Sequence, residues 1–444
     1  MATQTGYISV PTTYFYKTDT GTKRHYTMIY GEEVQYEPPA ADAARIKISN
    51  RTREGYVKNY TIKPNPVLEV YYIDVGQGDS TFIVTPGRKK ILIDGGINNQ
   101  ALRFLSWKYR LQDYDPGDTL LIDLMVLSHA DGDHINGLTL MLKDPRFKVG
   151  KILHNGIARY KEGIYEKELG DRTPDKKHLA TRHDKLNQLT DNELTGTFLE
   201  WKKAIQNKGN IDYAQVQAHQ TINIEPGLTL EILGPRLVPD SNNTGPYLPW
   251  FTDEGNTING NSVILKMTYG SLSFLFPGDI NEKGSKHLLD DANLRPKYDS
   301  HVFKAPHHGS HHYHTPFLEQ VNPQITVISS GEKNTFGHPR GNFIGTVGRA
   351  ARKQSLIFAT QIAGKFKDTD ENLREKLSLS DEEWNALDSK SLEKLRKQFK
   401  RRLHGMINVR TDGNEIFAAR RIKTSHGWEY YGDIAPSPRS PLTT

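Results

Sequence analysis

The sequence predicts an α/β protein, and two stretches carry that prediction. "LIDLMVLSHA" (residues 121–130) is a nearly continuous apolar run, the pattern of a strand covered on both faces. "DHINGLTLMLKD" (residues 133–144) follows at once, with Ile135, Leu138 and Met141 on one helical face. Upstream, "VLEVYYIDVGQGDSTFIVTP" and "KKILIDGG" form apolar stretches joined by the hairpin-type turn "PGRKK". Downstream, "VGKILHNG", "LTLEILGP", "SVILKMTYG", "LSFLFPGD", "HVFKAPHHGS" and "ITVISSG" repeat the strand-to-loop rhythm.

At 444 residues the chain is long enough for two to three domains. Residues 1–62 hold short Tyr-, Val- and Ile-rich segments between turn signals, and "GEEVQYE … RTREGYVKNYTI" resembles a bacterial SH3-like small β-barrel. Residues 63–360 form the main domain. Within it, 157–215 is charged and expected to be a mostly helical insertion, a lid or docking surface. There Phe198, Trp201 and Ile205 share a helix face and Gly209 ends it. Residues 361–444 read as a basic extension: a capping box at Ser380 and Glu383, a helix "EKLRKQFKRRLHG", a hairpin turning at Asp412-Gly413, and a disordered tail.

Composition narrows the chemistry. With no cysteine, thiolate metal sites, iron–sulfur clusters and a cysteine nucleophile are excluded, so any metal is held by His, Asp, Glu or Asn. No apolar run approaches the roughly 20 residues that span a bilayer, and the N-terminus lacks a signal-peptide pattern, so the expected compartment is the cytoplasm. The net charge of +6 and pI near 9.0 permit an anionic partner.

The most informative stretch is "VLSHADGDHINGL", where His129, Asp131, Asp133 and His134 crowd the end of an apolar strand. Imidazoles and carboxylates packed this closely waste solvation unless a divalent cation unites them. Asp and His also serve as turn and cap residues, but that alternative does not account for the motifs that accompany this one.

His-x-Asp-x-Asp-His followed by "INGL" resembles the metal motif of metallo-β-lactamase-fold hydrolases, and more narrowly the soluble domain of ComEC-type competence proteins and their stand-alone relatives. "IDVGQGDSTFI", "ILIDGG", "NGNSVILKMTYGSLSFLFPGD", "FKAPHHGS" and "VISSGEKNTFGHP" agree in order, and the resemblance covers roughly Leu68 to Arg349. It implies an αββα sandwich with a dinuclear site at one edge, loaded with two divalent ions, Mn2+ or Zn2+. His129 and Asp131 would hold one ion, Asp133 and His134 the other, with Asp279 bridging. The usual third histidine is replaced by "NGNS", so His307 and His338 are expected to supply the missing imidazoles, with His308 able to replace His307. Asp94 would orient the metal loop from behind. Asp133, His308 and Lys304 form the expected catalytic set, the last two steadying the anion or protonating the leaving group.

The resemblance implies a metal-dependent hydrolase of phosphodiester bonds, first of all a nuclease acting on DNA or RNA, with Lys394, Lys397, Lys400, Arg401 and Arg402 placed to neutralise phosphates. A small-molecule phosphodiesterase or esterase, for a cyclic nucleotide or a phosphorylcholine ester, is the second reading. A third, of another class, is a partner-binding or sensing component of bacterial antiphage defence, with residues 1–62 as the docking module.

Overall fold

In the computed structural model the described residues are 3–38, 44–50, 53–58, 60–332, 334–362, 380, 382, 385–388, 390–391, 405–421 and 428–438. The N-terminal unit contains β1 (Gln4–Ile8), β2 (Thr12–Tyr16), β3 (Arg24–Ile29), β4 (Glu33–Tyr36), β5 (Arg45–Asn50), β6 (Arg53–Lys58) and β7 (Ile62–Lys63). They pair in the order β3-β2-β6-β5-β4-β1-β7 around Ile8, Phe15, Met28, Val34, Ile46, Ile48 and Val57. The edges β3 and β7 do not pair with each other, so the closed SH3-like barrel expected for residues 1–62 is replaced by an open, curled sheet.

The sandwich begins with β8 (Leu68–Tyr72), β9 (Thr81–Val84), β10 (Lys90–Ile93), α1 (Gln100–Tyr109), β11 (Leu120–Val126), α2 (Gly132–Lys143) and β12 (Phe147–His154). A short β13 (His178–Leu179), α3 (Gly196–Lys208) and β14 (Asp212–Gln215) follow. The second half holds β15 (Gln220–Glu225), β16 (Leu228–Gly234), β17 (Leu248–Pro249), α4 (Glu254–Gly260), β18 (Ile264–Tyr269), β19 (Leu272–Phe276), α5 (Glu282–Leu289), β20 (Val302–Lys304), α6 (Thr315–Val321), β21 (Ile325–Ile328), α7 (Gly341–Ala350) and β22 (Leu356–Ala359). The last strands are β23 (Ile407–Thr411), β24 (Ile416–Arg421) and β25 (Trp428–Ile434).

Two sheets result, one of nine strands ordered β14-β12-β11-β10-β9-β8-β23-β24-β25 and one of seven ordered β15-β16-β18-β19-β20-β21-β22. Period-two alternation builds the layers. Leu68, Val70 and Tyr72 of β8 face the second sheet, beside Leu230, Leu265 and Phe274, while Tyr71 faces the opposite core with Phe104 of α1 and Met141 of α2. Phe303, Phe317 and Val347 pack α6 and α7 onto the other side of the second sheet. The αββα sandwich implied by the resemblance is therefore present. Among the described residues no helix is long and apolar enough to cross a membrane.

Two expected boundaries are corrected. The hairpin turning at Asp412-Gly413 is no appendage: β23 pairs antiparallel with β8 and completes the nine-stranded sheet. Nor is 157–215 a separate insertion. α3 buries Phe198, Trp201 and Ile205 in the same core as α1 and α2, and β14 extends the sheet in parallel with β12. The stretch between Tyr160 and Thr195 is irregular, with only short 3-10 turns and β13, because its apolar residues lack a sustained helical period. Of the tail, residues 435–438 are docked: Gln324 donates to the Ala435 carbonyl and Arg352 to that of Ser437. The basic helix, including Lys394 to Arg402, and residues 439–444 lie outside the described residues.

A buried ionic knot ties these pieces together. Glu69 at the start of β8 meets Lys108 of α1 at 3.1 Å and Arg410 of β23 at 3.3 Å. Arg410 also donates to the Tyr30 carbonyl of the N-terminal unit at 2.7 Å, and the Tyr30 ring stacks on Phe417 of β24 at 3.7 Å. Burial alone would raise the Glu69 pKa, but the two cations outweigh it and hold the carboxyl at about 2, against its ordinary 4.5.

At the opposite end of the strands, the loop after β10 touches the first turn of α2 backbone to backbone. Gly95 N–H donates to the His134 carbonyl and Gly137 N–H to that of Gly96, each at 2.9 Å. A Cβ on Gly137 would lie 1.9 Å from the Gly95 oxygen, so "DGG" and "INGL" each need their glycine for this approach.

Gly137→Ala should therefore push α2 off the loop, costing about 2 kcal/mol or more and weakening divalent-metal binding; calorimetric Tm and metal titration read the two effects separately. For Glu69, whose folded pKa is depressed, the stabilisation is complete above pH 4.5 and is lost as pH falls toward 2. Glu69→Gln is expected to cost on the order of 3 kcal/mol at pH 7 and much less at pH 3, a difference that urea unfolding at both values resolves.

Candidate metal centre

The opening of α2 sets out the ligand spacing. β11 delivers Leu127, Ser128 and His129 to the sheet edge; Asp131 stays extended at the helix cap (φ −82°, ψ 150°); Asp133 and His134 fall in the first helical turn. Acidic Asp133 there also suits the helix dipole. Asp94, straight after β10, adopts left-handed backbone (φ 57°) and turns its carboxylate back toward this edge.

The hydrogen bonds behind the histidines fix which nitrogen faces inward. Ser128 donates its N–H to Asp94 Oδ1 at 2.8 Å and its hydroxyl to Oδ2 at 2.7 Å. With its proton committed, Ser128 Oγ accepts from His129 Nδ1 at 3.0 Å, while His134 Nδ1 donates to Asp94 Oδ2 at 2.8 Å. His308 Nδ1 donates to the Ser329 carbonyl at 3.1 Å. Each imidazole thus turns Nε2 toward one region, and the Nε2 atoms of His129, His134 and His308 are buried without a hydrogen-bond partner.

Carboxylates meet them there. Asp279 Oδ2 lies 3.3 Å from His134 Nε2 and 3.1 Å from His308 Nε2, and its Oδ1 is also buried without a partner. Asp133 lies 3.4 Å from His308 Nε2 and accepts from Gln77 at 2.9 Å. Asp131 lies 3.5 Å from His129 Nε2 and is paired to Arg159. Donor atoms of His129, His134 and Asp279, and those of Asp133, His134 and His308, form groups within 4.8 Å of one another. With buried, unpartnered imidazole Nε2 atoms facing carboxylate oxygens, this chemically mixed donor set fits divalent ions.

The electrostatics point the same way. Burial disfavours charge on Asp279, His134 and His308, yet their mutual attraction wins: the Asp279 carboxyl is held well below the usual range and the His134 and His308 imidazoles well above theirs.

Several expected placements change, and Asp131, turned to Arg159, lies outside the donor groups. His308, not His307, joins the donor groups, so the proton-donor role expected of His308 does not match its position. His307 and His338 sit beside it, their rings 5.7 Å apart, each with a buried, unpartnered Nδ1, and neither belongs to a donor group. The reason is local: both His307 (φ 45°) and His308 (φ 54°) are left-handed, and that tight turn sends adjacent side chains apart. Lys304 is also displaced from its expected role. It is buried, paired with Asp79, and donates to the Ala305 carbonyl at 2.7 Å, so it braces the wall.

Asp79 is the residue that sequence reasoning missed. It lies within "IDVGQGDS" and forms a donor group with Asp279 and His308, 3.4 Å from His308 Nδ1. Its place inside a quoted motif was the available signal. "NGNS" proves architectural: Asn261 donates to the Pro249 and Thr257 carbonyls, and Ser262 Oγ contacts Asp279 N–H at 3.2 Å. His154 stacks on Tyr213 at 3.9 Å and stays outside the donor groups.

Residues 73–206 match the Metallo-beta-lactamase superfamily. Over 286 residues the chain is 25% identical to ComE operon protein 3 of Bacillus subtilis (strain 168), covering 61% of this chain and 29% of that protein. Over 269 residues it is 36% identical to Competence protein ComA of Neisseria gonorrhoeae, covering 60% of this chain and 27% of that protein. The chain thus spans under a third of the length of these curated relatives. Among solved structures, a HARLDQ motif mutant of a metallo-beta-lactamase from Cronobacter sakazakii matches at 15% identity and a TM-score of 0.28, covering 53% of this chain and 75% of that one, a fit too loose to add to the argument. The histidine–aspartate edge and the αββα layers agree with the match of residues 73–206 to the Metallo-beta-lactamase superfamily and with the similarity of the chain to the two competence proteins.

Proposed function

We propose that this chain is a dinuclear metal-dependent phosphodiesterase that cleaves nucleic acid. The observation that carries the metal-dependent part is the convergence of three unpartnered imidazole nitrogens on buried carboxylates. Support for nucleic acid comes from the competence proteins among its relatives, from the net charge of +6, and from Arg159 beside Asp131 at the site.

In this reading His129 and Asp131 would hold one ion, Asp133, His134 and His308 would hold the other, and Asp279 would serve both. The carboxylate-rich set suits Mn2+ as well as Zn2+. Bound ions of this kind make hydroxide available near neutral pH and offset charge developing on a scissile phosphate. The chain's own residues do the rest. Asp94 and Ser128 keep His129 and His134 in the tautomer that presents Nε2. Asp79, tied to Lys304, backs His308. Arg159 pairs with Asp131 and offers its exposed edge to a phosphate oxygen. His307 and His338 flank the site and can hydrogen-bond a phosphate oxygen through a ring N–H.

Metal-stripped protein reloaded with Mn2+ or Zn2+ should cleave single-stranded DNA, duplex DNA or RNA. The double variant Asp133→Ala, His134→Ala should lose at least about a hundredfold in rate. Cleavage of bis-p-nitrophenyl phosphate alone would transfer the assignment to a small-molecule phosphodiesterase, and no hydrolysis with any divalent ion would sink both. Asp94→Asn should weaken metal affinity about 10–100-fold with the fold intact, as followed by chelator competition and circular dichroism.

A further inference from the structure

A cavity of about 830 Å³ lies between the N-terminal sheet and the sandwich, at the end of β8 away from the metal-facing loop. Ligand sites favour such junctions between units, and the volume suits a nucleotide-sized molecule. Its walls carry six cations, Arg53, Arg88, Lys108, Arg110, Arg410 and Arg421, against three carboxylates, Glu32, Glu33 and Glu69. Glu69 and Glu33 are already engaged, with Lys108 and Arg410 and with Arg88.

The aromatic side chains are placed beside these cations. The Arg421 guanidinium lies 5.2 Å from the centroid of Trp107 and 5.3 Å from that of Trp428. Arg53 lies 5.2 Å from the centroid of Tyr26 on the facing wall. Trp107 is 43% exposed, an unusual position for an indole in a chain whose other large rings are mostly buried. A simple dicarboxylate would use the cations and leave the rings wet, and a sugar would use the rings and leave the cations. A flat base joined to a phosphate uses both.

We propose that this cleft binds a nucleotide unit, with its base stacked on Trp107 and its phosphate held by Arg421 and Arg53. The unit is either a free nucleotide or one residue of a single strand. The inference stands independently of the proposed hydrolysis, because the cleft contains none of the metal-site residues.

The test uses metal-stripped full chain, so that the hydrolytic site neither cleaves nor contributes. Binding of a fluorescein-labelled oligothymidylate is followed by anisotropy, with unlabelled AMP and inorganic phosphate as competitors. Wild type is expected to bind and to weaken as salt is raised. Trp107→Ala and Arg53→Ala should each weaken binding about fivefold or more, with Trp107→Phe close to wild type. Competition by AMP assigns the cleft to free nucleotides; binding of the oligomer without AMP competition assigns it to a strand. The proposal is overturned if neither probe binds, if Trp107→Ala binds as well as wild type, if Trp107→Phe is no better than Trp107→Ala, or if inorganic phosphate competes as well as AMP.

Discussion

Burying an imidazole nitrogen with no hydrogen-bond partner costs on the order of 1–3 kcal/mol, and three of them face the same spot here. That arrangement persists only because the surrounding chain over-determines it. Asp94 and Ser128 grip His129 and His134 from behind, the Ser329 carbonyl grips His308, and the Gly95–Gly137 contact locks the loop against α2. Two of the residues concerned, Asp94 and His308, hold left-handed backbone that non-glycine residues seldom adopt. The sandwich is the frame that makes this strain sustainable.

The same frame explains why the two ends of the strands differ. At one end, three imidazole Nε2 atoms and several carboxylates converge in a donor set suited to a cation. At the other, a buried ionic knot joins segments: Glu69 answers Lys108 and Arg410, and Arg410 reaches on to the N-terminal unit. One edge gathers metal-type donors, and the other uses the Glu69 knot to hold separate segments together.

Local chemistry was legible in the sequence to the extent that it was local. The apolar run ending at Val126 and the helical face of Ile135, Leu138 and Met141 read directly, and so did the crowding of His129, Asp131, Asp133 and His134. Pairing between distant segments did not. Nothing in "INVRTDGNEIFAARR" says that its first strand will lie against β8, because strand partners are chosen by tertiary packing. The N-terminal alternation showed strands but not whether their edges would close. The choice between His307 and His308 turns on backbone angles that spacing does not encode. Asp79 escaped notice because its partners, Lys304 and His308, lie far along the chain.

The pairing of β23 with β8 has a kinetic side. Tyr71 and Arg410 touch although they are 339 residues apart in sequence. Until that late segment arrives, β8 is an open edge: a row of unpaired amides in an apolar strand, available to any other strand nearby. A chain emerging from the ribosome would therefore carry its metal-binding motifs long before the sheet beneath them is complete. Interruption of synthesis, or slow docking of the last hairpin, would leave a sticky half-sandwich, and the vulnerability of this protein lies in the time taken to assemble it.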